Sequence, residues 1–386
     1  MKRKTILFVN KTLMFLMAWM IGMIGITGLS PVLSSAAEAR QDNLYQDEKD
    51  LMPYIISCQD KGMQEITFLY SKDPSDMDLS LLRDIACAYR VHLNWKRAEK
   101  NTYDCTLTLE ERAGRKIISS LRAGDTGRLN EKEMDLYQRA LEVVRECESV
   151  CGNDWERELW LFNWVCSRTV YNAKDTSEAS GLENYLTAFG VFDEGSANCQ
   201  GYTDAFYLLG NLAGLSVDMQ ECVCLDGSPH ITNTIWLNGI WQIVDLTIAD
   251  DKFTTEDAPV PMHATFNTGT QRYASEVKIR DGVMRHPITT RDTDDFYYNK
   301  VSSDPWFGYQ ASFTDFGSLA AEAVNRWINT GDYSVEMLLN RKSTSQDDPD
   351  LKEYINDYAE QTGNILRYYI SVMKYPDFSA YLIRFQ

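Results

Sequence analysis

The sequence is short of positive charge and of histidine. It has 38 Lys and Arg against 56 Asp and Glu, which gives a net charge of −18. An acidic chain is repelled by phosphate backbones, so nucleic acid is not an expected partner. Only four histidines occur and no C-x-x-C pair accompanies them, so a structural zinc site lacks its usual ligand pattern. We predict neither a metal nor another cofactor.

The remaining composition is that of a globular protein with more than one domain. Hydrophobic residues make up 44% of the 386 residues and aromatic residues 12%, which is enough for folded cores and excludes global disorder. Because one domain usually takes roughly 100 to 200 residues, two or three folded units are expected. Nine cysteines are an odd number, so at least one thiol is unpaired in a monomer. Their spacing predicts no particular disulfide.

The first 39 residues have the three-part plan of a secretory signal peptide. A basic start at residues 2–4 is followed by an apolar run at 12–29 and a small-x-small ending at 37–39. The apolar run is also long enough to remain in a bilayer as an anchor. We therefore expect a secreted or extracellular protein, either cleaved after this segment or anchored through residues 12–29. No other membrane contact is expected.

Hydrophobic periodicity predicts an α+β protein. A strand, helix, strand, strand pattern indicates a small N-terminal α/β module at 40–128. Three helical patterns and a hairpin indicate a middle domain at 129–290, and a C-terminal α/β module is predicted at 291–386. No internal repeat is clear. The predicted strands are 64–70, 91–95, 103–109, 230–237, 240–247, 332–339 and 377–385, and the predicted helices are 78–89, 131–147, one after 154, 199–213, 319–328 and 351–369. Residues 253–290 are expected to be rich in loops with short strands.

The Asn-Gly dipeptide at 238–239 predicts a two-residue hairpin turn. This turn places Leu237 opposite Ile240 and so sets the register of both strands. In that register His230 and Asp245 are diagonal neighbours on one face of the sheet, close enough for the carboxylate to orient the imidazole. The opposite face carries most of the apolar side chains and is expected to meet the core.

Cys199 stands at the start of the predicted helix 199–213. Free N–H groups and the positive end of the helix dipole favour a thiolate at such a position. A neighbouring imidazolium would favour it further, and the first-turn N–H groups could bind the oxyanion of an acyl intermediate. We therefore take Cys199, His230 and Asp245 as the candidate catalytic triad.

The segments GSANCQGYTDAFYLLGNLAGL and HITNTIWLNGIWQIVDLTIADD resemble the transglutaminase-like superfamily. In that family Cys, His and Asp follow one another in the motifs C-x-G-Y-A, H-x-W-N and V-D-x-T-W-D, and the resemblance spans residues 154–251. It implies a papain-like fold, in which a helix bearing the Cys packs on an antiparallel sheet bearing the His and Asp. It makes Cys199 the nucleophile, His230 the general base and acid, and Asp245 the residue that orients His230.

Two positions depart from the family pattern. Thr232 and Ile248 stand where the family has tryptophan, which removes aromatic walls from the active site. The second oxyanion donor is not assigned by the resemblance, and Gln200 and Tyr202 are candidates by their nearness in the chain.

The resemblance implies acyl transfer on a protein or peptide substrate, with a cell-wall or surface protein as the first expectation. If water resolves the acyl-enzyme the enzyme is a peptidase or amidase, and if an amine does it crosslinks glutaminyl groups. The alternative is a surface peptide-binding or assembly module that keeps the scaffold without turnover. A free thiol at Cys199 favours the enzyme, and a disulfide at Cys199 favours the binding module.

Overall fold

The computed structural model describes residues 44–99, 101–172, 182–251 and 261–385, with the exception of 306, 333, 342–343, 345–346, 365–366 and 376. The predicted signal or anchor segment lies outside the described residues. Within them, no helix combines the length and apolar character needed to cross a bilayer. Residues 43–386 form one compact unit, so the predicted domain boundaries inside that span stay predictions.

Four strands form the N-terminal sheet in the order β1-β2-β4-β3, with β1 parallel to β2 and the other neighbours antiparallel. The strands are β1 (Leu44–Tyr45), β2 (Glu65–Tyr70), β3 (Arg90–Glu99) and β4 (Thr102–Glu110), and the helices packed with them are α1 (Met52–Asp60) and α2 (Leu79–Ala86). Side chains alternate along β2, so Ile66 and Phe68 are buried and share a core with Ile55 and Leu82 of the helices.

The central part of the molecule is built around one helix. Its helices are α3 (Ala113–Arg122), α4 (Glu131–Val150), α5 (Asp154–Cys166) and α6 (Cys199–Leu212). Every residue of α6 from Gly201 to Gly210 is buried. A helix that is buried on all sides lies in the interior of a domain rather than on its surface. The first residue of α6 is therefore held in place by the whole core.

A five-stranded antiparallel sheet, the central sheet, packs on α6 in the order β10-β9-β8-β7-β11. The elements of this region are β5 (Val170–Tyr171), β6 (Ser196–Ala197), β7 (Ser216–Cys224), β8 (Pro229–Leu237), β9 (Ile240–Val244), α7 (Leu246–Asp251), β10 (Phe266–Thr268), α8 (Thr270–Tyr273) and β11 (Val277–Ile279). The predicted core face is buried through Ile231 and Ile235. The His230 face is also buried around Ile243, because Tyr273 and Ile288 pack there.

The C-terminal sheet has the order β12-β13-β15-β14, again with one parallel pair, β12 and β13, and antiparallel neighbours elsewhere. Its elements are α9 (Tyr297–Ser303), β12 (Ser312–Phe313), α10 (Phe316–Thr330), β13 (Ser334–Leu339), α11 (Asp347–Gln361), β14 (Tyr368–Lys374) and β15 (Ser379–Phe385). From β12 to β15 the chain repeats the strand-helix-strand-helix-strand-strand topology of β1 to β4. The sequence pattern does not reveal this repeat.

The α+β class and most of the predicted elements are confirmed. The predicted helix 351–369 is wrong at its end: Gly363 adopts a φ of 73°, the helix stops at Gln361, and the aromatic and β-branched residues that follow form β14. Sequence patterns also missed α1, α3 and β7, whose burial comes from neighbours distant in the chain.

Candidate active site

Cys199 is the first residue of α6, and the residues around it fix that helix end. The side chain of Asn198 accepts hydrogen bonds from the N–H groups of Gln200 (3.0 Å) and Gly201 (3.4 Å). Gly201 is required by close packing, since a Cβ there would stand 2.5 Å from Tyr185 O. The Cys199 side chain is partly exposed, and its N–H has no acceptor among the described residues. The sulfur and a free N–H therefore stand together at an open helix end.

The β8–β9 hairpin has the predicted register. Leu237 pairs with Ile240, and Asn238 and Gly239 both have positive φ, as the tight turn requires. His230 at the start of β8 thereby comes beside Asp245, which follows β9. The distance from His230 Nε2 to Asp245 Oδ2 is 2.7 Å, and the two side chains are 6% and 1% exposed.

Asp245 ends the strand, so the predicted strand 240–247 is wrong in its last three residues. β9 stops at Val244, and α7 begins at Leu246. Asp245 Oδ1 accepts a hydrogen bond from the N–H of Ile248 (3.0 Å), so the carboxylate caps the new helix. Capping by a local aspartate side chain competes with continuation of the ladder. The carboxylate that meets His230 is therefore also held by a backbone N–H three residues further along the chain.

Tyr273 is a third partner of this carboxylate that the sequence did not indicate. Its hydroxyl donates to Asp245 Oδ2 over 2.6 Å, and its side chain is 3% exposed. Tyr273 ends the four-residue helix α8, within the stretch predicted to be rich in loops. One tyrosine among 21 carries no sequence signal of its own, and only the long-range packing of α8 brings it to Asp245.

The electrostatics of the pair follow from burial and from the contact itself. Burial disfavours the charged form of His230, but the Asp245 carboxylate and the Cys199 side chain outweigh this and raise the pKa of His230 well above its ordinary value. Burial would raise the pKa of Asp245, and His230 and Tyr273 instead lower it. The Cys199 side chain interacts with the His230 ring and helps to raise its pKa. Because Asp245 holds Nε2, Nδ1 is the ring nitrogen left for Cys199.

The two candidate oxyanion donors lie in very different surroundings. Tyr202 is fully buried and its hydroxyl donates to Asp250, so its side chain cannot reach a substrate. Gln200 is half-buried, and its Oε1 accepts two hydrogen bonds from the guanidinium of Arg112, from Nε at 3.2 Å and from a terminal nitrogen at 2.8 Å. Arg112 precedes α3 and was not indicated by the sequence.

The two residues that depart from the family pattern line the same region. Thr232 is buried and its hydroxyl donates to Val244 O over 2.9 Å, which ties β8 to β9 just before Asp245. Ile248 is partly exposed and offers its N–H to Asp245. Both positions therefore support the carboxylate, although neither supplies an aromatic wall.

The nine cysteines are all free thiols. The sulfurs of Cys147 and Cys151 lie 3.9 Å apart at the end of α4. Across the described residues, no three His, Cys, Asp or Glu side chains are grouped so that they could hold a metal ion.

No family model and no curated protein matches this chain. Similar solved structures include a transglutaminase, at a TM-score of 0.28 and 15% identity over 50% of this chain and 52% of that one. A proposed cysteine protease from Cytophaga hutchinsonii has a TM-score of 0.24 and 11% identity over 48% of this chain and 65% of its own. A proposed protease from Parabacteroides distasonis has a TM-score of 0.22 and 6% identity over 83% and 65%. The matches span about half to two thirds of those chains.

Proposed function

We propose that this protein is a cysteine acyl-transfer enzyme of transglutaminase-like type that hydrolyses a peptide or amide bond. One observation carries the proposal: Cys199 stands at an open helix end and interacts with His230, whose Nε2 lies 2.7 Å from Asp245. A nucleophile, a base and a group that orients the base are the parts that acyl transfer requires. The coupling of the three side chains supports this chemistry better than a passive binding role.

In the proposed reaction His230 Nδ1 takes the proton of the Cys199 thiol, and Sγ attacks the carbonyl carbon of the substrate. The raised pKa of His230 suits this step, because the imidazolium that forms is stabilised by Asp245. His230 then gives the proton to the leaving nitrogen as the C–N bond breaks, which leaves a thioester on Cys199. Water attacks the thioester while His230 takes one of its protons, the C–S bond breaks, and His230 passes the proton to the sulfur, which releases the carboxylic acid and restores the thiol.

The substrate that we propose is a protein or peptide outside the cell, and a wall or surface protein fits best. This part of the proposal depends on residues 1–39, whose plan is that of a signal peptide or anchor. If an amine instead of water attacked the thioester, the product would be a crosslink. The two outcomes differ only in what resolves the same acyl-enzyme.

The test is acylation of the thiol by p-nitrophenyl acetate, followed by mass mapping of the modified peptide. We expect the wild-type protein to be acylated at Cys199 and the Cys199→Ala variant to show no such fast acylation. Cys224 is likewise partly exposed but is not part of the triad, so Cys224→Ala is the matched control and should behave as wild type. Equal acylation of wild type and Cys199→Ala would refute the proposal. Methylamine added as an acceptor separates crosslinking, which forms the N-methylamide, from hydrolysis.

A further inference from the structure

Arg112 is a buried cation beside the candidate triad. Arg112 is only 4% exposed. Its guanidinium donates to two uncharged acceptors, Gln200 Oε1 and, over 2.9 Å, Cys87 O. Within the described part of the chain, no carboxylate makes an ion pair with it at 4 Å or less. Burial raises the pKa of Asp204 and of Glu221, and the charge of Arg112 partly opposes this rise without direct contact.

A buried charge without a direct counter-ion is costly, so its place calls for a physical reason. Arg112 points two N–H groups at one amide oxygen, that of Gln200. A cation on the oxygen of an amide draws electron density from the amide and makes its N–H groups stronger donors. Arg112 therefore polarises the Gln200 amide and makes its Nε2 a stronger hydrogen-bond donor.

Gln200 is placed where such a donor is useful. It is the residue after Cys199, it is partly exposed, and its Nε2 has no acceptor among the described residues. The Thr203 hydroxyl is already used, since it donates to Ile231 O over 3.1 Å, and Asn198 Oδ1 caps the helix. Among the described residues, the donors without an acceptor at this helix end are the Cys199 N–H, Asn198 Nδ2 and Gln200 Nε2, and of these the Gln200 amide is the one that Arg112 polarises.

We propose that Gln200 Nε2 is the second hydrogen-bond donor to the oxygen of the tetrahedral intermediate, beside the N–H of Cys199, and that Arg112 is the positioning residue that holds it. The acyl donor that this arrangement takes is a carboxamide or ester whose carbonyl oxygen becomes negative as the sulfur adds. The inference rests on the proposed function, since it presupposes attack by Cys199. It adds that Arg112, which lies between β4 and α3, helps to complete the oxyanion site.

The experiment compares two reactions of the same thiol. Acylation by p-nitrophenyl acetate passes through an oxyanion, whereas alkylation by iodoacetamide displaces iodide and forms none. Loss of one oxyanion donor typically lowers a rate by about 100-fold, so Gln200→Ala should slow the acylation of Cys199 by that factor and leave its alkylation rate near that of wild type. Arg112→Lys should slow acylation less than Gln200→Ala does, because it keeps the Gln200 donor. Some loss is still expected, since the lysine ammonium lacks the planar guanidinium fork that holds the amide through two N–H groups.

Gln200→Glu separates a donor from a mere partner of Arg112. The glutamate keeps an acceptor for the guanidinium and the same shape, but it has no N–H group to offer. We expect its acylation to be slowed at least as much as in Gln200→Ala, with an unchanged far-UV circular dichroism spectrum as the folding control. Wild-type acylation in Gln200→Glu would overturn the inference, as would an equal loss of acylation and alkylation in Gln200→Ala. If wild-type Cys199 were acylated no faster than in Cys199→Ala, the proposed function would fail, and this inference with it.

Discussion

The N-terminal and C-terminal sheets have the same topology but meet the central part of the molecule at different places. After the N-terminal sheet, α3 starts with two N–H groups, of Gly114 and Arg115, that donate to the Asp204 carboxylate of α6 at 2.8 and 2.9 Å. In the C-terminal sheet Glu336 of β13 accepts from the backbone N–H and from Nδ1 of His263, both at 2.7 Å. One sheet is thus joined to the helix that bears Cys199, and the other to the segment that follows α7.

A cluster of buried charges also lies at the N-terminal attachment, where Arg285 donates to Gln59 Oε1 and Ile85 O. Asp218 on β7 meets Arg285 at 2.9 Å and His286 at 2.7 Å, and Arg115 lies 3.9 Å away. Burial would raise the pKa of Asp218, but the charge of Arg285, the hydrogen bond with His286 and the charge of Arg115 hold it well below its ordinary range. The two sheets therefore share a topology without sharing a role. We expect activity to depend on the N-terminal contacts and stability to depend on both.

Asp204→Asn and Glu336→Gln test this difference as a matched pair. Each change puts an amide nitrogen against groups that already donate, so each should lower the free energy of unfolding by about 2 kcal/mol. Urea denaturation measures that loss. In protein that is still folded, only Asp204→Asn should also slow the acylation of Cys199, because only Asp204 belongs to α6. Equal slowing of Cys199 acylation in both variants would contradict the expected difference between the two attachments.

Asp245→Asn tests the triad while leaving both attachments unchanged. Without the carboxylate, burial of His230 is opposed by the remaining interactions with Cys199 and Glu221, so the pKa of His230 should fall from its raised value. The stabilisation that a raised pKa provides is complete below the unfolded value of about 6.5 and is lost as the pH rises through the folded pKa. The wild-type protein should therefore lose stability above neutral pH, and Asp245→Asn should lose less there. Nuclear magnetic resonance titration of the ring checks the pKa directly.

Local signals in the sequence were sufficient for the centre of the site and insufficient for its surroundings. The Asn-Gly turn fixes a register, so the meeting of His230 and Asp245 follows from spacing alone. Tyr273 and Arg112 reach the site from segments far away in the chain, and no periodicity marks such contacts. The end of β9 could not be predicted either, because the alternating pattern continues through Asp245 and the capping bond from Ile248 leaves no mark in that pattern.

Tyr273→Phe tests the hydroxyl that donates to the triad carboxylate. Removing a donor to the charged form should raise the pKa of Asp245 toward its ordinary value, so the acid limb of the acylation profile should move to higher pH. Asp245 contributes stability above its unfolded pKa, and that contribution is lost as the pH falls through the lowered folded value.

Tyr298→Phe is the matched control, because its hydroxyl donates to Glu336 at the C-terminal attachment. Both changes should cost about 1 kcal/mol of unfolding free energy. The acid limb should move in Tyr273→Phe alone. A shift of similar size in Tyr298→Phe would mean that the C-terminal attachment governs the triad as well.

Lys96→Ala gives the smallest expected effect. Lys96 lies 3.5 Å from Asp104 on the N-terminal sheet, and its side chain is 80% exposed. Exposed ion pairs contribute at most about 1 kcal/mol, and we expect a change of roughly 0.5 kcal/mol or less in urea denaturation. Acylation of Cys199 should be unchanged. A larger effect would show that the outer strands, and not only the buried contacts, connect this sheet to the core.

The most direct measurement is the rate of Cys199 acylation by p-nitrophenyl acetate in His230→Gln. Glutamine keeps a hydrogen-bonding side chain but cannot carry a proton between the sulfur and the leaving group, and a lost general base typically costs about 100-fold or more. We expect a fall of that size with an unchanged circular dichroism spectrum. A folded His230→Gln protein acylated at Cys199 as fast as wild type would contradict the catalytic role of the triad.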